Sequence, residues 1–160
     1  MEDARYRDAA IFAVVSDMVM TSVNLLKWGE IGFQIIGFYM GMHKVASPIH
    51  TIPLVFAAFI LHFGAVWTAY KMTKACRLET QLDEGIRRGK NWRNLAIVLI
   101  LFNILGAPTL GLKGYTGGMT VIFNTLRLIG IFVVHTFVGE LTAILAEAEA
   151  METTQIVTSR

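Results

Sequence analysis

Three apolar runs constrain this chain more than anything else in it. Residues 51–70, 95–112 and 119–139 are each close to the roughly 20 residues that a helix needs to cross about 30 Å of hydrocarbon. A soluble core rarely needs three such runs in so short a chain. Of the 160 residues, 54% are hydrophobic and 16% are charged, against about 25% charged in an ordinary soluble domain. Mean hydropathy is +0.55. The expected fold class is an all-α integral membrane protein, with one domain over residues 1–160.

The charges set the orientation. Residues 71–93 carry Lys71, Lys74, Arg77, Arg87, Arg88, Lys90 and Arg93 against only Glu79, Asp83 and Glu84. An excess of Lys and Arg beside membrane spans marks the cytoplasmic side, so this segment is read as a cytoplasmic basic loop. Asp83 to Arg87 and Glu84 to Arg88 stand four apart with the acid first, which predicts a short surface helix gaining about 0.3 kcal/mol per pair. The preceding span, 51–71, enters from outside after Ser47-Pro48, with Thr51 able to cap it and Pro53 in its first turn. Residues 94–112 run outward to Gly106-Ala107-Pro108, and a loop with Gly111, Gly114, Gly117 and Gly118 turns the chain. Residues 119–140 bring it back, which places the acidic tail 147–160, with Glu147, Glu149 and Glu152, on the cytoplasmic face of a plasma or inner membrane.

The first fifty residues contain two weaker segments. Residues 9–26 are interrupted by Asp17, Thr21 and Asn24, and residues 28–46 contain Glu30, Gln34 and His43. If both cross, there are five spans; if one crosses, there are four, and Arg5 and Arg7 join the basic residues inside. The Lys and Arg bias favours four. The expectation is a bundle of four transmembrane helices in which 9–26 crosses and 28–46 forms a re-entrant or interfacial helix, bordered by Trp28 and Tyr39. The start, MEDARYRDAAIFAVV, lacks the basic and compactly apolar pattern of a secretory signal and is expected to be retained.

Helical spacing sorts the polar residues into stripes. Asp17, Thr21 and Asn24 share one face. Glu30, Gln34, Gly37 and Gly41 share another, and small residues such as Gly37 and Gly41 let backbones approach, which predicts a helix-packing seam there. On the last span, Asn124, Arg127 and His135 are read as one inward-facing stripe. Arg127 stays charged and needs a partner; Asp17 is the acid best placed by depth, with Glu30 or Glu140 as alternatives, so a buried Asp17–Arg127 bridge between the first and last helices is expected.

His62 and His135 lie near the middle of separate spans, and His62 has Ala58, Val55, Val66 and Ala69 around it. Neutral imidazoles on facing helices are the ligands a b-type haem uses, so His62 and His135 are candidate haem b ligands; interhelical hydrogen bonding is the plainer reading. His43 and His50, beside Ser47-Pro48, are weaker candidates. A metal site joining these histidines to Asp17 or Glu30 is an equal alternative, with a ligand set too scattered to select a metal. The single cysteine, Cys76, excludes an internal disulfide or a cysteine cluster; it is read as a spectator thiol ahead of a palmitoylation site.

These readings exclude several classes. A net charge of +2, with basic residues beside apolar spans, gives no nucleic-acid footprint, and the partner they indicate is the lipid bilayer. No nucleophile and base occur in a recognisable catalytic motif, so an enzyme is disfavoured. The leading expectation is a noncatalytic membrane subunit packing against other subunits, or copies of itself, in a larger energy-transducing or redox complex. One alternative is a haem- or metal-binding electron-transfer protein using His62 and His135. The other is a small oligomeric proton-coupled transporter using Asp17 and Arg127.

Overall fold

A computed structural model describes residues 6–41, 51–77, 81–109 and 115–158. They form four helices: α1 (Arg7–Tyr39), α2 (Thr51–Cys76), α3 (Leu82–Thr109) and α4 (Tyr115–Thr158), with no strand among the described residues. α1, α2 and α4 are long and apolar enough to span a membrane, so the chain is an all-helical membrane protein.

Each helix packs against its two neighbours in the ring α1–α2–α3–α4, and α4 closes on α1. Contacts pair rising residue numbers with falling ones on every side. Tyr6 donates to Glu140 while Asp17 meets Arg127, and Gly89 faces Val138 while Asn103 meets Asn124. All neighbours are therefore antiparallel, the up-down-up-down arrangement of a four-helix bundle.

The largest departure from the sequence reading is α1. Residues 28–39 form no separate re-entrant or interfacial helix; they continue the 33-residue α1, about 50 Å long at about 1.5 Å per residue. Lys27-Trp28-Gly29-Glu30 contains no strong breaker. A single helical glycine costs only about 1 kcal/mol, and Trp28, Ile31 and Ile35 recover it by packing with Val55 and Ala58 of α2. The helix ends where Met40 N–H donates to Ile36 and Gly41 N–H to Phe38, with Gly41 at φ 75°. That left-handed conformation is one glycine adopts freely, and it commonly closes a helix. Gly41 is thus a terminator rather than half of a packing seam.

The expected seam of Gly37 and Gly41 is corrected at Gly41. Gly37 is buried, but Glu30, Gln34 and Gly41 on the same stripe are exposed. Close approach occurs instead at Gly85 and Gly89 of α3, which carry the same four-residue spacing. A Cβ built on Gly85 would lie 3.5 Å from Leu141 Cδ1, and one on Gly89 would overlap Val138 Cγ2. These glycines sit among arginines and lysines, where apolar patterning drew no attention to them.

The basic segment and the acidic tail are also more helical than expected. α2 runs on to Cys76, and α3 begins at Leu82 and continues into its apolar part, so the described residues of 71–93 are mostly helix. Asp83 and Glu84 occupy the first turn of α3, where carboxylates suit the positive end of the helix dipole. Glu84 takes both arginines, Arg88 Nη2 at 2.6 Å and Arg87 Nη2 at 3.8 Å, and Arg88 Nη1 also donates to the Lys71 carbonyl of α2. α4 continues through residues 147–158, beyond its last packed residues Leu141 and Leu145.

The interior has three layers. At one end Val14, Met72, Trp92, Val134, Phe137 and Leu141 belong to a large apolar cluster. At the other, Trp28, Val55 and Ala58 form a smaller one with Phe102 against it. Between them along the helices lie the buried polar residues Asp17, Thr21, His62, Asn124 and Arg127.

Candidate functional site

Within an apolar span a polar side chain must find its partners inside the protein. Most hydroxyls do so locally. Ser22, Thr73, Thr125, Thr136 and Thr142 each donate to the carbonyl four residues earlier, so they add no chemistry to the interior. The residues that cannot satisfy themselves locally make up the candidate site.

α1 and α4 supply its charged half. Arg127 Nε donates to Asp17 Oδ1 at 2.6 Å, and Nη2 lies 2.6 Å from the same oxygen. Nη2 also donates to Thr21 Oγ1 at 2.8 Å, while Thr21 donates to Asp17 Oδ1 at 3.4 Å. Asp17 and Arg127 are 2% and 1% exposed. Asp17 and Thr21 stand one turn apart on α1, so both reach one guanidinium. Asn24, the third residue of that stripe, is only half-buried. Two charges out of water need this density of bonds, because their desolvation costs several kcal/mol per ion.

α2 supplies His62, which is fully buried. Its Nδ1 lies 2.7 Å from the Ala58 carbonyl oxygen, one turn back. A carbonyl only accepts, so Nδ1 carries the hydrogen and Nε2 is left as an acceptor. The ring sits against Trp28 and Phe102, with centroids at 6.2 and 6.4 Å, and within electrostatic reach of both Arg127 and Asp17.

His135 is elsewhere. It is exposed, and its Nδ1 accepts from Arg93 Nη1 at 3.1 Å on the α3 side of α4. The buried face of α4 runs through Asn124, Arg127, Gly130, Val134, Phe137, Val138 and Leu141, and residue 135 stands about 100° beyond Val134 at 3.6 residues per turn. The inward stripe of Asn124, Arg127 and His135 is therefore corrected to Asn124 and Arg127. His62 and His135 do not face one another, and their arrangement offers no pair of axial ligands for one haem. Among the described residues, no group of three His, Cys, Asp or Glu side chains is placed to hold a metal ion. His43, Lys44, His50, Ser47-Pro48 and Lys113 lie outside the described residues.

No family model, curated protein or solved structure matches this chain.

Sequence reasoning overlooked four contributors. Thr21 was placed on the right face, but its part as a second acceptor for Arg127 follows only from the approach of α4. Trp28, assigned to a membrane border, lies in the interior beside His62. Asn103 donates to Asn124 Oδ1 at 3.1 Å, joining α3 to α4. Arg93, counted only as a topology charge, holds His135. A double-mutant cycle of Asn103→Ala and Asn124→Ala is expected to return a coupling of about 0.6 kcal/mol, the average for such bonds between membrane helices. Denaturation of the four proteins in one detergent measures it.

Cys76, at the end of α2, is fully buried among Ala10, Met72 and Ala75. Its thiol should react with maleimide only slowly in the folded protein and fully in SDS, which makes labelling rate a direct measure of bundle opening.

Proposed function

We propose that all four helices cross the bilayer and that the protein is a noncatalytic subunit packing within a larger membrane assembly, with the Asp17–Thr21–Arg127 cluster as an internal lock. The observation that carries this reading is the division between outside and inside. Large apolar side chains face outward on every helix, among them Phe12, Phe33, Phe63, Leu101, Leu105 and Phe132. The strongest polar groups are sealed within, unavailable to a soluble substrate. α3 shares the pattern through Ile97, Val98, Leu101, Ile104 and Leu105, although charges crowd its first turns.

The basic end supports a cytoplasmic placement. Lys71 Nζ lies 5.0 Å from the Trp67 ring centre and Lys74 Nζ 5.0 Å from that of Tyr70, the pairing of cation and exposed aromatic that suits a headgroup layer. An even number of crossings puts both termini on that side.

Two measurements test the proposal. Reporters fused at each terminus should report the same, cytoplasmic side; opposite sides would remove the four-span reading. Native mass spectrometry of the chain extracted in lipid discs at its natural abundance should find it bound stoichiometrically to other membrane chains. A monodisperse single-chain particle overturns the subunit reading. So does a Soret band abolished by His62→Ala, which would favour electron transfer, or proton-driven flux in vesicles abolished by Asp17→Asn, which would favour transport.

A further inference from the structure

Among the described residues, two polar atoms in the middle of the bundle find no hydrogen-bond partner: Nη1 of Arg127 and Nε2 of His62. Their residues are 1% and 0% exposed and lie on α4 and α2, which do not touch as helices. Each atom lacks what the other offers. Arg127 Nη1 is a donor only, and Nε2 of this His62 tautomer is an acceptor only. Leaving either unpaired in an apolar interior costs as much as losing a hydrogen bond outright. The two residues are also within electrostatic reach of one another.

We infer that the polar layer is a binding site for one neutral hydroxyl-bearing molecule, a buried water, which accepts from Arg127 Nη1 and donates to His62 Nε2. The chemistry of the pair selects this class. An anion would accept from Arg127, but it has no hydrogen for His62, and Asp17 already balances the guanidinium charge. A cation would suit His62 and be repelled by Arg127. Water both accepts and donates, and buried waters typically make about three hydrogen bonds to groups of this kind.

The side chains one turn to either side of His62 on α2, Ala58 and Ala65, are small and buried, and Thr21 on α1 already accepts from the other guanidinium nitrogen, Nη2. With the water in place, one hydrogen-bonded chain runs from Asp17 and Thr21 on α1, through Arg127 on α4, to His62 on α2 and its tie to Ala58. It links helices that packing alone leaves on opposite sides of the bundle.

Magic-angle-spinning NMR of the full chain in deuterated lipid bilayers, with nitrogen-15 in histidine and arginine side chains, tests this without any substitution. His62 should appear as the tautomer protonated at Nδ1, and its Nε2 should receive magnetisation from water although the buried backbone amides of Leu99 and Val134 receive none. His62→Gln, which retains an acceptor, should keep the water signal at Arg127 Nη1, and His62→Leu should lose it. A direct Arg127–His62 hydrogen bond, a proton on Nε2, or no water transfer to Nε2 in the unaltered protein each overturns the inference.

Discussion

Arg127→Met and Asp17→Asn are each expected to destabilise the bundle by roughly 3 to 5 kcal/mol, the cost of stranding one member of a buried ion pair. The geometry gives the reason. Arg127 has a single carboxylate oxygen, Asp17 Oδ1, against both Nε and Nη2, with Thr21 as the remaining acceptor. Removing the arginine leaves a carboxylate with only a 3.4 Å hydroxyl donor from Thr21. Removing the acid leaves an unbalanced guanidinium with Thr21 as its one protein acceptor among the described residues. The double variant lacks both charges and should lose far less than the sum of the two single losses. SDS or thermal unfolding, read by Cys76 labelling, measures all four corners. Strict additivity would show that the two side chains do not act as partners in the membrane.

The second large effect is expected at Gly89. Glycine to alanine within a helix usually gains up to about 1 kcal/mol, because alanine is the better helix former. At Gly29, where an added Cβ meets nothing within 4 Å among the described residues, that gain should be seen. At Gly89 the added Cβ overlaps Val138 Cγ2 and comes within 3.4 Å of Met72 Cε, so α4 and α2 both press on the site. Valine is stiff at χ1 and Val138 is 5% exposed, which leaves little room to yield. Overpacking of this kind costs about 1 to 3 kcal/mol, so Gly89→Ala should lower stability while Gly29→Ala does not. Adding Val138→Ala should restore part of the loss in the Gly89 variant, although alone it removes a buried contact. Equal behaviour of Gly29→Ala and Gly89→Ala would mean that α3 and α4 are not so close.

Helical class and membrane character were legible from apolar run length, because the thickness of hydrocarbon sets a minimum that few soluble helices meet. The readings that needed helix boundaries fared less well. Residues 28–46 are read as separate because the Lys and Arg bias favours one crossing in the first fifty residues and Glu30, Gln34 and His43 interrupt the second segment, yet polar residues do not break a helix and tertiary contacts through Trp28, Ile31 and Ile35 carry α1 onward to Tyr39. Charge patterning likewise marks 71–93 as a loop, although among its described residues α2 runs on to Cys76 and α3 begins at Leu82, helices that outlast the apolar runs.

What the sequence by itself determined is the inventory: spans of apolar residues, a basic end, and a few ionisable groups too costly to leave unpaired in such surroundings. Spacing along one helix also put Asp17 and Thr21 on a common face. Only the tertiary structure decided which face of each helix turns inward and which residues meet across the gap. A difference of one position, about 100° around the axis, puts Val134 in the core and His135 on the surface. Rotation of α4 is fixed by its packing against α1 and α3 together, through contacts such as Arg127 with Asp17 and Val138 with Gly89. Those contacts join residues some 50 to 110 positions apart, and no periodicity within a single helix records them.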